Sequence, residues 1–164
     1  MSGGISNVLV EHVHLYNSST GIEFRTTKGR GGYIKGIVIS DVEMENISTG
    51  FSASGHFGSH PDDEFDPNAL PIVQDITLQN VRGTNINIAG NFTGLQESPF
   101  TSIYLSNITF SMNSSSSTSW ICLDVSGYSE SVIPPPCSDL DTRYSISSLA
   151  ATSLLNSAGK AAVL

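Results

Sequence analysis

The chain has 164 residues, a size suited to one domain, and its 38% hydrophobic against 13% charged residues describe a folded, mostly uncharged protein rather than a disordered chain or a coiled coil. Seven basic against 15 acidic residues give a net charge of −8, which argues against nucleic acid as a partner, because phosphate binding calls for the opposite sign. No run approaches the roughly 18 apolar residues of a membrane span, and the opening MSGGISNV lacks the basic-then-apolar order of an export signal.

Four segments of the chain superimpose. They read ISNVLVEHVHLYN from Ile5, IKGIVISDVEMEN from Ile34, VQDITLQNVRGTN from Val73 and FTSIYLSNITFSM from Phe100, with starts 29, 39 and 27 residues apart. These periods belong to solenoids rather than sandwiches. The shared apolar positions are Val8, Val10, Val13 and Leu15 in the first copy, Ile37, Ile39, Val42 and Met44 in the second, and Ile103, Leu105, Ile108 and Phe110 in the fourth; the third has Ile76, Leu78 and Val81, then Gly83. Alternation of β-branched residues predicts strands, and the extra residue between the two pairs predicts a corner. The corner residues His12, Asp41, Asn80 and Asn107 are small or polar, as in stacks hydrogen-bonded from rung to rung.

A second apolar set follows each corner, as Ile22 and Phe24, Phe51 and Ala53, Ile86 and Ile88, and Trp120 and Cys122, introduced by Thr20, Thr49, Thr84 and Thr118. The predicted fold is all-β, a right-handed parallel β-helix of about four coils, with a sandwich as the alternative. Predicted loops fall at residues 29–32, 55–71 and 113–119. The helix is expected over residues 1–138, followed by a flexible Ser- and Ala-rich tail over 139–164. Arg25, Lys28, Arg30 and Lys35 place four of the seven basic residues in an eleven-residue stretch without an acid. That stretch is a candidate anion-binding segment, with a merely solvated loop as the plainer reading.

The strings MSGGISNV, GIEFRTTKGRGGYIK, GHFGSHPDD, FDPNALP and IPPPC resemble the C-terminal half of plant polygalacturonase-like proteins of glycoside hydrolase family 28, over about residues 1–140. The resemblance implies a pectin-lyase-type β-helix, export to the cell wall, a monomeric parent, no cofactor, and inverting hydrolysis of pectic galacturonan, an acidic polysaccharide. The family's Asn-Thr-Asp, Asp-Asp and Gly-His-Gly motifs have no counterpart here. Glu23, Phe24 and Arg25 occupy the place of its Arg-Ile-Lys motif, so Arg25 is carried over as a binder of the substrate carboxylate, which a guanidinium can grip bidentately. Lys28, Arg30 and His56 are further substrate-binding candidates. A family tyrosine aligns with Phe57, which lacks the hydroxyl.

The expectation is therefore an N-terminally truncated chain, inactive alone because an inverting hydrolase needs two opposed carboxylates, and prone to self-association through its first coil. The alternative is a non-catalytic β-helix that binds acidic polysaccharide. Asp62 and Asp63, with Glu64 and Asp66, invite acid–base or calcium readings, and His56 and His60 a zinc reading; the extended, Gly- and Pro-rich context disfavours all three. Cys122 and Cys137 are either a disulfide, the favoured reading for an exported protein, or two thiols. Sequons at Asn17, Asn46, Asn91, Asn107 and Asn113 support secretion; Asn107 is set apart from the glycan candidates because a corner side chain pointing inward could not carry a glycan.

Overall fold

The computed structural model describes residues 3–58, 66–114 and 118–140. Three strands of 22 residues, β1 (Gly4–Arg25), β2 (Tyr33–Ser54) and β3 (Ile72–Thr93), are followed by β4 (Phe100–Met112), β5 (Trp120–Leu123), β6 (Val125–Ile133) and a 3-10 turn, Ser138–Leu140. All strand pairs are parallel, in the order β1-β2-β3-β4-β6 with β5 beside the end of β3. Each long strand is one coil lying on the coil before it; β4 and β5 together make the fourth, and β6 starts a fifth. The architecture is a parallel β-helix. Among the described residues, no helix is long and apolar enough to cross a membrane.

The long strands coil because they are bent at residues with left-handed backbone. In β1 these are Asn7, His12 and Asn17, with φ of 55°, 56° and 52°; in β2, Gly36, Asp41 and Asn46; in β3, Asp75, Asn80 and Asn85; in β4, Ser102 and Asn107. Asn and Asp tolerate this region best among side-chain-bearing residues. The predicted corners are the middle bends, and two further bends flank them. The side chains at these bends bond along the stack. Asn80 Nδ2 donates to Asp41 Oδ1 at 3.2 Å and Asn107 Nδ2 to Asn80 Oδ1 at 2.9 Å, while Asn85 donates to Asn46 and Asn46 to Asn17 in a second ladder. The partners are 29, 39 and 27 residues apart, the periods of the sequence repeat. These ladders lie on the exposed outer surface, so Asn107 points outward, contrary to the inward orientation on which it was set apart from the glycan candidates.

Inside, residues of one repeat position stack in columns such as Ile37, Ile76 and Ile103, or Ile39, Leu78 and Leu105, all within 3% of complete burial. The glycine that breaks the third copy has a packing reason. Gly83 lies between Met44 and Phe110, and a Cβ there would come within 2.6 Å of the Phe110 ring. The second apolar set needs a correction in the same coil. Ile86 and Ile88 pair with Ile47 and Thr49, and Thr84 pairs with Glu45; the columns below Trp120 and Cys122 are filled by Gly90 and Phe92. Gly90 leaves room for the Trp120 ring, which stacks on Phe92 at 6.2 Å between centroids.

The last coils are sealed by the Cys122–Cys137 disulfide, by a hydrogen bond from Trp120 Nε1 to Pro134 O at 2.9 Å, and by Leu140, which is completely buried. The packed body thus continues past residue 138, where the tail was expected to begin. The tail beyond residue 140 lies outside the described residues.

Candidate functional site

The predicted basic segment leaves the end of β1 and crosses to the start of β2. Alternation in the last strand of the first coil turns Phe24 toward the core and Glu23 and Arg25 outward. Arg25 Nη2 bonds Glu23 Oε2 at 2.5 Å, and its guanidinium carbon lies 4.2 Å from the centre of the Phe57 ring. The guanidinium is charged at any working pH, and the hydrogen bond to Glu23 raises its pKa further above the ordinary value. Ring below and carboxylate beside fix a side chain that would otherwise sample many rotamers. Phe57 therefore supports the arginine in place of presenting a hydroxyl.

Arg25 and Arg30 line one open cleft of about 300 Å³, with Tyr33, Ile5, Thr26 and Pro71. The Tyr33 ring carries Lys35 Nζ at 4.7 Å from its centre. Among the described residues, neither Arg30 nor Lys35 has an ion-pair partner. Lys28 is placed differently from its neighbours, because its ammonium bonds Glu97 Oε1 at 2.5 Å. That bond, with a backbone amide second, holds the Glu97 carboxyl below its ordinary pKa. Lys28 thus ties the loop after β1 to the loop after β3. His56 is exposed beside this strut; its backbone N–H donates to Ser54 Oγ at 3.1 Å, and it bridges Thr27.

The structure therefore brings Arg25 and Arg30 together and leaves Lys28 and His56 on the adjoining loops. Tyr33 and Glu97 are additions to the residues picked from sequence, and Phe57, noted there only as lacking a tyrosine's hydroxyl, gains a bracing role. The Tyr33–Lys35 pair sits at period two, a signal that could have found it; the contacts of Phe57 and Glu97 cross between coils and have no local pattern. A wider groove of about 480 Å³ lies along the second bend, lined by His12, His14, Asp41, Glu43 and Arg82, with mixed charge and none of the clustered cations.

Among the described residues, no group of three or more His, Cys, Asp or Glu is placed to hold a metal ion. His60, Asp62, Asp63 and Glu64 lie outside the described residues. Of the sequon asparagines, Asn17, Asn46 and Asn107 belong to the bend ladders; Asn91 Oδ1 accepts from the Thr93 hydroxyl at 3.0 Å, and the Asn113 backbone N–H donates to Ile86 O.

Residues 2–132 match the sequence family described as Glycosyl hydrolases family 28. The chain is 38% identical over 141 residues to a protein of Vitis vinifera described as a probable polygalacturonase, covering 85% of this chain and 29% of that protein. It is 23% identical over 122 residues to a polygalacturonase of Persea americana, covering 74% of this chain and 26% of that one. The chain spans less than a third of the length of these curated relatives. With the stacked parallel coils and the profile match over most of its length, the chain belongs to glycosyl hydrolase family 28.

Proposed function

We propose that this chain supplies a uronate-binding part of a polygalacturonase-like glycoside hydrolase acting on pectic galacturonan in the cell wall. The observation that carries the reading is Arg25, permanently charged, braced by Glu23 and Phe57, and opening with Arg30 onto one cleft. A guanidinium offers two parallel N–H donors to a carboxylate, a stronger and more directional contact than an ammonium makes. The cleft sits at the lower end of the volume range of small-molecule sites, enough for a sugar unit at its mouth. The disulfide and the sequons support export.

Inverting hydrolysis requires a carboxylic acid and a carboxylate facing each other across the scissile bond. Glu23 and Glu97, the carboxylates of this cluster, are each bonded to a cation. On this reading the chain alone binds galacturonan without cleaving it, and the same pairing favours the second reading, a purely binding β-helix. Calorimetric titration of the chain with hexagalacturonate tests the shared step. Arg25→Ala should weaken binding by about 10-fold to 150-fold, the worth of a charge-assisted hydrogen bond. Unchanged affinity overturns the assignment of Arg25, and release of reducing sugar by the chain alone overturns the claim that it only binds.

A further inference from the structure

The register of the coils carries the Arg25 position along the helix axis. Arg25 pairs with Ser54, Ser54 with Thr93 and Thr93 with Leu123; the neighbouring outward column runs from Glu23 through Ser52 and Asn91 to Ile121. Of the residues between them, Ala53 and Phe92 are buried and Phe24 and Cys122 pack against the core, so alternation turns both columns outward. Coils succeed one another at about 4.8 Å, close to the length of one sugar unit. A chain laid along these columns from Arg25 meets first hydroxyls and an amide, then two exposed aliphatic side chains, Ile121 at 38% and Leu123 at 53% exposure.

The cations do not follow. Of the five Lys and Arg among the described residues, four lie between Arg25 and Lys35, and the one of these that reaches the loop after β3, Lys28, is already bonded there to Glu97. The fifth, Arg82, lines the groove at the second bend. At the far end Leu123 is followed directly by Asp124. A free uronate carboxylate placed two or three rungs from Arg25 would lose water and gain no unpaired cation, which is unfavourable. A methyl ester removes that charge and brings a methyl group that the Leu123 and Ile121 side chains can shield from water.

We propose that these columns form a charge-graded track that takes a free uronate carboxylate at Arg25 and methyl-esterified uronates at the rungs of Thr93 and Leu123. The proposal rests on the reading of Arg25 as a carboxylate binder and adds the pattern of esterification that the chain selects. Nothing in it involves bond cleavage. Asn91 stands on the floor of this track, so a glycan there would block it.

The test is calorimetry on the full chain with three hexagalacturonate preparations: unesterified, partly methyl-esterified and fully methyl-esterified. The partly esterified oligomer should bind tightest, by at least about fourfold over the unesterified one, the worth of one methyl group taken from water. The fully esterified one should bind more weakly, having no carboxylate for Arg25. Thr93→Lys, an outward substitution, should shift the preference toward the unesterified oligomer. Leu123→Ser should erase the ester preference, lowering affinity for the partly esterified oligomer more than for the unesterified one. Equal or tighter binding of the unesterified oligomer by the unaltered chain, with Arg25→Ala still weakening it, overturns the track while leaving the carboxylate site intact. Binding of all three that is indifferent to Arg25→Ala overturns both.

Discussion

The first and fourth coils have inner faces of the same apolar character and differ sharply in how much water they exclude. In β1, Val8, Val10, Val13 and Leu15 are only partly buried, whereas Ile103, Leu105 and Ile108 of β4 are completely buried. Side-chain chemistry decides which residues turn inward; a neighbour on each side decides how dry they become. β4 lies between β3 and β6, and the coil it begins is closed by Cys122–Cys137 and Leu140. β1 pairs with β2 alone, and among the described residues its other edge carries no strand. In a stacked protein, stability accumulates interface by interface, so the same substitution weighs differently along the axis.

The largest expected effect sharpens that contrast. Leu78→Ala, in the middle of the stack, should cost about 2–5 kcal/mol, and Leu15→Ala less than half as much, measured by urea unfolding of the chain. Equal losses would mean that β1 is covered in solution, and a concentration-dependent midpoint would identify self-association as the cover. Next in size is the disulfide. Replacing Cys122 and Cys137 together by alanine should lower stability by about 3 kcal/mol through the freedom restored to the unfolded loop. Hydrogen exchange should then accelerate in β5 and β6 while β1 keeps its rates; uniform acceleration would show that the two ends unfold as one unit.

The smallest effect concerns the Lys28–Glu97 strut. Because the Glu97 carboxyl is held below its ordinary pKa by Lys28, its contribution is present above the usual carboxylate range and is lost as pH falls through the depressed value. Both groups are exposed, so the gain is small. Glu97→Gln should lower the melting temperature slightly at neutral pH, and the two curves should converge in acid. A difference that persists in acid would mean that the glutamate acts by packing rather than charge.

The repeat, its uneven period and the middle bends were legible because apolar alternation breaks at His12, Asp41, Asn80 and Asn107, where left-handed backbone and small or polar side chains coincide. The first bend was not, since Asn7, Gly36, Asp75 and Ser102 share a backbone conformation but little chemistry, whereas the third repeats asparagine at Asn17, Asn46 and Asn85 and carried a signal that apolar alternation alone does not pick up. The slip at Ile86 and Ile88 arose because Gly83 and Gly90 hold inward positions that a hydrophobic pattern assigns to large residues, while their volume is supplied by Phe110 and Trp120 of the following coil. At the site, the resemblance pointed to Arg25. The ring that braces it stands 32 positions away on another coil, and the acid that occupies Lys28 is 69 positions away. Such contacts are set by stacking, which only register reveals.

The five-residue spacing of the bends has a consequence for how such a chain can change length. The coils of β1, β2 and β3 each contain 22 residues, whereas the distance from one coil to the next is 29, then 39. All of that variation is therefore taken up between strands. One residue added within a coil would move every later bend off its ladder and turn inward side chains out, whereas ten added between coils leave each rung where it was. Length is free to drift in the loops, beside Arg25 and Phe57, so the walls of the binding surface can be remodelled without disturbing the stack that holds them.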